Sequence, residues 1–236
     1  MADRTVHIRN LTYAWPGGDA VLTIPEFDIL AGERVFLKGP SGSGKSTLLG
    51  LIAGVLAPQA GKLEVLGHDM SALSHAQRDR LRADRLGVIF QIFNLVPYLT
   101  VSQNVTLPCR FSTARHMAVQ AAGGIETEAQ RLLSALGMTE PGLLKRKVTQ
   151  LSVGQQQRVA AARALIGAPH LIIADEPTSA LDAESRNRFI DLLNEQAQAN
   201  GASLLFVSHD GALAPLFDRT VDLPRINQVH TVQETI

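Results

Sequence analysis

The chain has 236 residues, 45% hydrophobic and 19% charged, with Lys plus Arg and Asp plus Glu at 22 each, a balance that lets it bury a sizeable core and that argues against a broad nucleic-acid surface. Its single cysteine, Cys109, excludes a disulfide framework within the chain and reads as a small buried residue. No stretch approaches the ~20 apolar residues of a membrane span and residues 1–10 lack the apolar centre of a signal peptide, so at a membrane another chain would have to cross it.

Val6, His7, Ile8 and Arg9 alternate as in a half-buried strand, and Pro16, Gly17 and Gly18 mark a turn. Residues 21–30 alternate again, loosely. Residues 34–38 hold a short apolar run, Val35, Phe36 and Leu37, that stops at Gly39. After a glycine-rich loop, residues 46–53 place Leu48, Leu49 and Ile52 at helical spacing. Residues 87–90 read as another buried strand. Residues 102–165 favour helices and loops. Within them, residues 126–136 put Ala129, Leu132, Leu133 and Leu136 on one face and stop at Gly137, and Ala122, Gly123 and Gly124 read as a loop tip. Strands return after Pro169, at 171–174 and 204–207, with a helix over 183–199 between them that ends at Asn200 and Gly201. Strands alternating with helices, each strand nearly continuous in apolar residues, imply an α/β fold: a parallel sheet covered on both faces, with the middle helical stretch inserted.

Gly39, Pro40, Ser41, Gly42, Ser43, Gly44, Lys45 and Ser46 fit the phosphate-loop pattern G-x-x-x-x-G-K-[ST] at every fixed position, between a predicted strand and a predicted helix. Glycines let backbone N–H groups curl around phosphate oxygens. The helix start adds donors and a positive dipole end. Lys45 supplies a point charge for the β- and γ-phosphates, and Ser46 offers its hydroxyl to Mg²⁺. Kinases, GTPases and ATPases share this loop, so other motifs must choose.

Residues 171–174 run straight into Asp175 and Glu176. Ligands of parallel sheets sit at the carboxyl ends of strands, and neighbouring side chains on a strand point to opposite sides. Two adjacent acids can therefore take different tasks. Asp175 suits Mg²⁺ held through water, and Glu176 suits orienting and deprotonating an attacking water.

With these elements in order, the chain resembles the ATPases of the ABC family from about Val6 to about Asp222. Residues 39–47, ending at Thr47, match the Walker A loop, and residues 171–176 match Walker B. Gln91 is similar to the Q-loop glutamine. Leu151, Ser152, Val153, Gly154 and Gln155 resemble the ABC signature. Ser179, Ala180, Leu181 and Asp182 match the D-loop. His209 resembles the switch histidine, and Trp15 stands where the family places an aromatic on adenine, with Tyr13 as the rival. Read by residues alone, Ser152 and Gln155 form a capping box that opens a helix running to Ile166, and such a start is an anion site. The resemblance implies that this start closes on the γ-phosphate held by a second copy, so that each site needs two chains. It implies a P-loop NTPase core over about 1–91 and 168–236, with an N-terminal antiparallel β subdomain, and a helical signature subdomain over about 92–167.

The family also implies roles. Two chains each bind Mg–ATP. Glu176 and His209 position water for attack on the γ-phosphate. Gln91, Ser46 and Asp175 attend the metal, and Gln91 links the site to a membrane partner. Residues 87–107 and 155–165 resemble the branch that serves lipoprotein release, macrolide export and cell division. That branch implies a small subunit on the cytoplasmic side of the inner membrane, peripheral through an integral membrane permease, with an extracytoplasmic partner beyond the permease, in export or extraction from the membrane. Ile92, Phe93, Leu95 and Tyr98 either form an apolar docking groove for the permease or pack the helical subdomain's core. One residue departs from the pattern: Val153 replaces a signature glycine. Glycine tolerates positive φ and close approach, and valine does neither easily, so slower or looser closure is expected. Two other classes compete, an ABC ATPase in a non-transport assembly or signalling role and a phosphoryl-transferring kinase. The kinase leaves the signature, Glu176 and His209 without a use.

Overall fold

The structure, a computed structural model, describes residues 3–179 and 181–231. The strands are β1 (Arg4–Ala14), β2 (Ala20–Leu30), β3 (Arg34–Lys38), β4 (Ala60–Val65), β5 (His68–Asp69), β6 (Leu86–Ile89), β7 (Leu171–Asp175), β8 (Ser203–Ser208) and β9 (Arg219–Asp222). The α-helices are α1 (Lys45–Ile52), α2 (His75–Arg85), α3 (Val101–Thr106), α4 (Pro108–Phe111), α5 (Thr113–Ala121), α6 (Ile125–Ala135), α7 (Val153–Leu165), α8 (Ala183–Ala199) and α9 (Leu223–Ile226). They pack as two compact units, one built from residues up to 82 and from 203 onwards, the other from residues 83–202.

In the first unit β2, β1, β4 and β5 form an antiparallel sheet in that order. The loose alternation of β1 and β2 has a local cause. Val6 and Ile8 are buried, then Leu11 and Tyr13, so the buried face changes parity along the strand. The switch falls at Asn10, which has φ 50°, and its register partner by the flanking pairs is Pro25, which has no N–H to give a ladder. β4 shifts register at the same place, and Gly61 there approaches so closely that a Cβ would lie 2.1 Å from the Asn10 carbonyl oxygen. Beside this sheet, β3 pairs in parallel with β8 and β9. Every residue of β8 is buried, as its unbroken apolar run requires. Phe36, Phe206 and Phe217 cluster beneath, with Phe217 5.4 Å from Phe36 and 5.0 Å from Phe206 between ring centroids.

Ion pairs fasten the strand ends. The Arg34 side chain donates to Asp218 from Nε (3.1 Å) and Nη2 (2.5 Å), and Arg219 donates to Glu33 at 2.6 Å. Arg34 holds the Asp218 carboxyl below its ordinary pKa of 3.8. The stabilisation this brings is present above the unfolded carboxylate's pKa and is lost as pH falls through the lower folded value. Solvent screens so exposed a pair, so Asp218→Asn should cost no more than ~1 kcal/mol at neutral pH. Thermal melts from pH 7 to pH 3 should show a shallower acid decline for the variant below about pH 4.

In the second unit β6 and β7 form a parallel pair and α7 packs against α3, α6 and α8. Val159, Ala160, Ala161, Ala162, Ala164 and Leu165 are buried along α7, and its small residues allow close approach. A Cβ on Gly87 of β6 would lie 2.3 Å from the Ala164 carbonyl oxygen. Cys109 is buried, and burial pushes its thiol pKa up, so it stays a packing residue as read from the sequence. No described helix is long and apolar enough to cross a membrane.

Candidate active site

In the first unit β3 and β8 run in parallel with Lys38 opposite Ser208, so Gly39 and His209 leave adjacent strand ends at one edge. The loop from Gly39 turns back through Gly42, at φ 82°, and Gly44, at φ 95°, into α1. A Cβ at Gly44 would also strike the Leu22 side chain at 2.7 Å, so only glycine serves there. No side chain caps α1, so its first N–H groups remain turned to the loop. Lys45 is buried and its Nζ donates to the carbonyls of Gly39 (2.7 Å) and Pro40 (2.9 Å), drawing the loop closed over the ammonium. Ser46 is exposed and Thr47 buried, as consecutive positions on a half-buried helix must be. The Ser43 hydroxyl is buried with no hydrogen-bond partner among the described residues, a polar atom in the cradle left for a ligand. Pro40, Ser41 and Gly42 form the loop's exposed rim.

Asn227 holds this loop from behind. It is fully buried. Its amide nitrogen donates to the carbonyls of Val21 (2.9 Å) and Ser43 (3.5 Å), and its oxygen accepts from the Thr23 N–H at 2.8 Å. Nothing in the sequence points to Asn227, because the strand and loop groups that its side chain holds lie 184 and more positions away. Trp15 and Tyr13 separate clearly. Tyr13 is 6% exposed and serves as core, while Trp15 is 48% exposed and stands edge-to-face on the Tyr13 ring at 5.4 Å. Gln59, also unforeseen, clamps the strand end beside Trp15 by accepting from the Ala14 N–H and donating to the Ala14 carbonyl, both at 2.8 Å.

In the second unit Ile89 lies opposite Ala174 in the parallel β6–β7 pair, so Gln91 and the acids Asp175 and Glu176 emerge from neighbouring strand ends. Glu176 has φ 44°, the left-handed region, although Pro177 follows it and favours an extended conformation there. Such strain is held by the buried strand before it and the buried Pro177 and Thr178 after it. Phe93 and Asn94 also take positive φ, and the half-buried Arg163 of α7 donates to both their carbonyls, at 2.6 and 2.7 Å. Ile92 and Tyr98 are 81% and 75% exposed, so these two are surface residues, while Phe93 and Leu95 are half-buried.

The capping box is present. The Ser152 hydroxyl accepts from the Gln155 N–H at 3.3 Å, and the Gln155 side chain accepts from the Ser152 N–H at 3.0 Å. Neither Val153 nor Gly154 takes positive φ. Val153 is the first residue of α7, a conformation any L-residue adopts, with its side chain 51% exposed, so its position does not call for the positive φ that glycine tolerates. Among the described residues a Cβ on Gly154 would meet only Leu181, at 3.6 Å, so their packing does not demand a glycine there. Asp182 caps α8 through the Ser185 N–H at 3.0 Å, a bond that lowers its pKa. Ala180, the remaining D-loop residue, lies outside the described residues.

The family description "ABC transporter" matches residues 22–179. The chain belongs to the ABC transporter family. It is an ATP-binding, ATP-hydrolysing domain of that family, with the family's P-loop fold. Among ABC relatives, the lipoprotein-releasing system ATP-binding protein LolD of Anaeromyxobacter dehalogenans is 38% identical over 226 residues, 94% of this chain and 92% of that protein. The macrolide export ATP-binding/permease protein MacB of Marinobacter nauticus is 37% identical over 235 residues, and there the chain spans 34% of the relative's length. Among solved ABC structures, the dimeric post-hydrolysis state of the ATP-binding cassette MJ0796 bound to ADP and Pi has a TM-score of 0.81 at 34% identity, covering 92% of this chain and 93% of that one. CbiO1 from Clostridium perfringens, part of the transporter complex cbiONQ, has a TM-score of 0.80 at 26% identity, covering 93% of this chain and 84% of that one.

Proposed function

We propose that two copies of this chain close around two ATP molecules and so drive a separate integral membrane permease, in the release or export of a membrane-borne substrate. The observation that carries the reading is the start of α7, an exposed, capped helix N-terminus whose Gly154 is not required by the chain's own packing and so leaves room for a ligand from outside. The dimeric state of the related cassette supports it. In this reading residues 1–91 and 168–236 form the nucleotide core and 92–167 the signature subdomain.

The cradle from Gly39 to Thr47 holds the phosphates, with Lys45 on the β- and γ-phosphates and Trp15 on adenine. Glu176 takes a proton from water that His209 steadies. Ser152, Gly154 and Gln155 of the other copy complete the γ-phosphate's surroundings. Ser46, Gln91 and Asp175 are hard oxygen donors of the kind Mg²⁺ takes, and the ion would neutralise charge on the phosphates. Exposed Ile92 and Tyr98, next to Gln91, suit a helix of the permease. The lipoprotein-releasing and macrolide-export names of the LolD and MacB relatives support release or export from the membrane; in this reading the chain works on the cytoplasmic side of the inner membrane, with an extracytoplasmic partner beyond the permease.

Mixing two inactive variants tests the shared site. Lys45→Ala keeps an intact signature, and Gly154→Asp keeps an intact cradle. A mixed dimer contains one complete site, so the mixture should hydrolyse ATP when neither variant does so alone. A mixture as inactive as its parts, together with no ATP-dependent dimer of the unmixed chain, would overturn the reading.

A further inference from the structure

We infer that Glu140 is a positioning residue for the signature turn, setting the orientation of the Gln155 amide and through it the geometry of the Ser152 cap. The inference rests on the reading that this turn closes on a nucleotide held by a second copy. Gln155 Nε2 donates to Glu140 Oε1 at 2.7 Å, shorter than either bond of the capping box itself, at 3.0 and 3.3 Å. A carboxylate only accepts. Glu140 therefore admits the nitrogen end of the Gln155 amide and rejects the oxygen end. The amide oxygen is left facing the Ser152 N–H, the one arrangement in which the box closes.

Glu140 is itself fixed from its other side. Its Oε2 accepts from Arg146 Nη1 at 2.8 Å, which stops the carboxylate turning and offsets its charge near an anion site. Arg146 is anchored in turn. Its carbonyl accepts from the Val101 N–H at 2.9 Å, at the start of α3, and its N–H donates to the Leu143 carbonyl at 3.0 Å. A cavity of ≈ 540 Å³, lined by Gln130, Leu133 and Ser134 of α6 and by Met138, Thr139 and Leu144, lies beside the loop that carries Glu140. Buried Met138 and Leu143 seat this loop, and the chain Arg146, Glu140, Gln155, Ser152 carries its position to the helix start.

The test uses the full chain carrying Glu176→Gln, with dimer formation followed by light scattering as ATP is raised. Glu140→Ala should raise the ATP concentration for half-maximal dimer roughly three- to tenfold, the loss of one charge-assisted bond at an exposed site. Binding of a fluorescent ATP analogue to the single chain and the melting temperature should stay unchanged. Glu140→Gln, whose amide can present either end, should fall between. In a chain that already carries Gln155→Ala, Glu140→Ala should add nothing further. An unmoved midpoint, or effects of Glu140→Ala and Gln155→Ala that add, overturns the inference, and so does a melting temperature that falls in step with the midpoint. If the Glu176→Gln chain with Glu140 intact forms no dimer in ATP, closure of the unaided chain is what fails, and the inference, which needs that closure, falls with it.

Discussion

Glu176→Gln should slow ATP hydrolysis by roughly 10²–10⁴ while ATP still binds, and the variant should accumulate as an ATP-dependent dimer of twice 25.4 kDa. Gln has the size and hydrogen-bonding reach of Glu but cannot take the proton from water. The backbone should not move. The φ of 44° at Glu176 is imposed by buried β7 before it and by Pro177 and Thr178 after it, and Gln bears the same strain as Glu. The dimer follows from energetics. Shifting an open-to-closed ratio from 1:99 to 99:1 takes ~5.5 kcal/mol, so two nucleotides would supply under ~3 kcal/mol each. Charge-assisted hydrogen bonds contribute ~1.5–3 kcal/mol apiece, and a few at the Ser152 turn suffice. In the proposed cycle, loss of the γ-phosphate would remove them, and the unaltered chain would reopen with each turnover. Light scattering with and without ATP, beside the hydrolysis rate, checks both parts. A variant that hydrolyses at the unaltered rate removes Glu176 from the role of base. A slow variant that stays monomeric at high concentration with ATP bound removes unaided closure.

The second large effect concerns stability. Arg115, 2% exposed in α5, donates from Nε to the Ala83 carbonyl at 2.8 Å, from Nη1 to those of Ala164 (3.3 Å) and Ile166 (2.7 Å), and from Nη2 to that of Leu86. One guanidinium thus joins α5, the C-terminal end of α7 and the first residue of β6. Burial pushes its pKa down to about 10, which leaves it charged at neutral pH. Arg115→Leu would take the side-chain donor from four carbonyls, three of them in buried bonds and that of Ala83 half-buried, and should cost about 3–5 kcal/mol, or roughly 10 °C in melting temperature. Arg115→Lys keeps the charge but cannot span the same fork, so it should recover only part of the loss. Melts of the full chain decide it. A leucine variant within ~0.5 kcal/mol of the parent would show that the carbonyls find other partners.

Much of the site was legible because its geometry is local. A phosphate loop needs glycines and a lysine within eight positions, a strand-end pair of acids needs two, and a capping box needs Ser152 and Gln155 three apart, all of which the structure places where their spacing predicted. The same holds for β3, β7, β8 and α8, whose apolar runs or helical periodicity lie within one element. β9 escaped notice because its four residues, Arg219 to Asp222, bury only Val221, and it is a strand by pairing with β3. That Val153 needs no positive φ could not be read from the sequence, which does not state φ; the first turn of α7 asks nothing special of its backbone.

Tertiary structure decided what depends on partners far apart in the chain. Asn227 behind the phosphate loop, Pro25 opposite Asn10 where the sheet changes its buried face, Glu140 on Gln155 and Arg115 on its four carbonyls carry no signature in their neighbours. A polar side chain announces that it will bond, not to what. Hydrophobic burial brings the segments together, and only then does each buried donor find the acceptor that makes its burial tolerable. The sequence by itself determined the chemistry this chain brings to a nucleotide, since that chemistry sits in short contiguous motifs. The folded chain decided how firmly each motif is held.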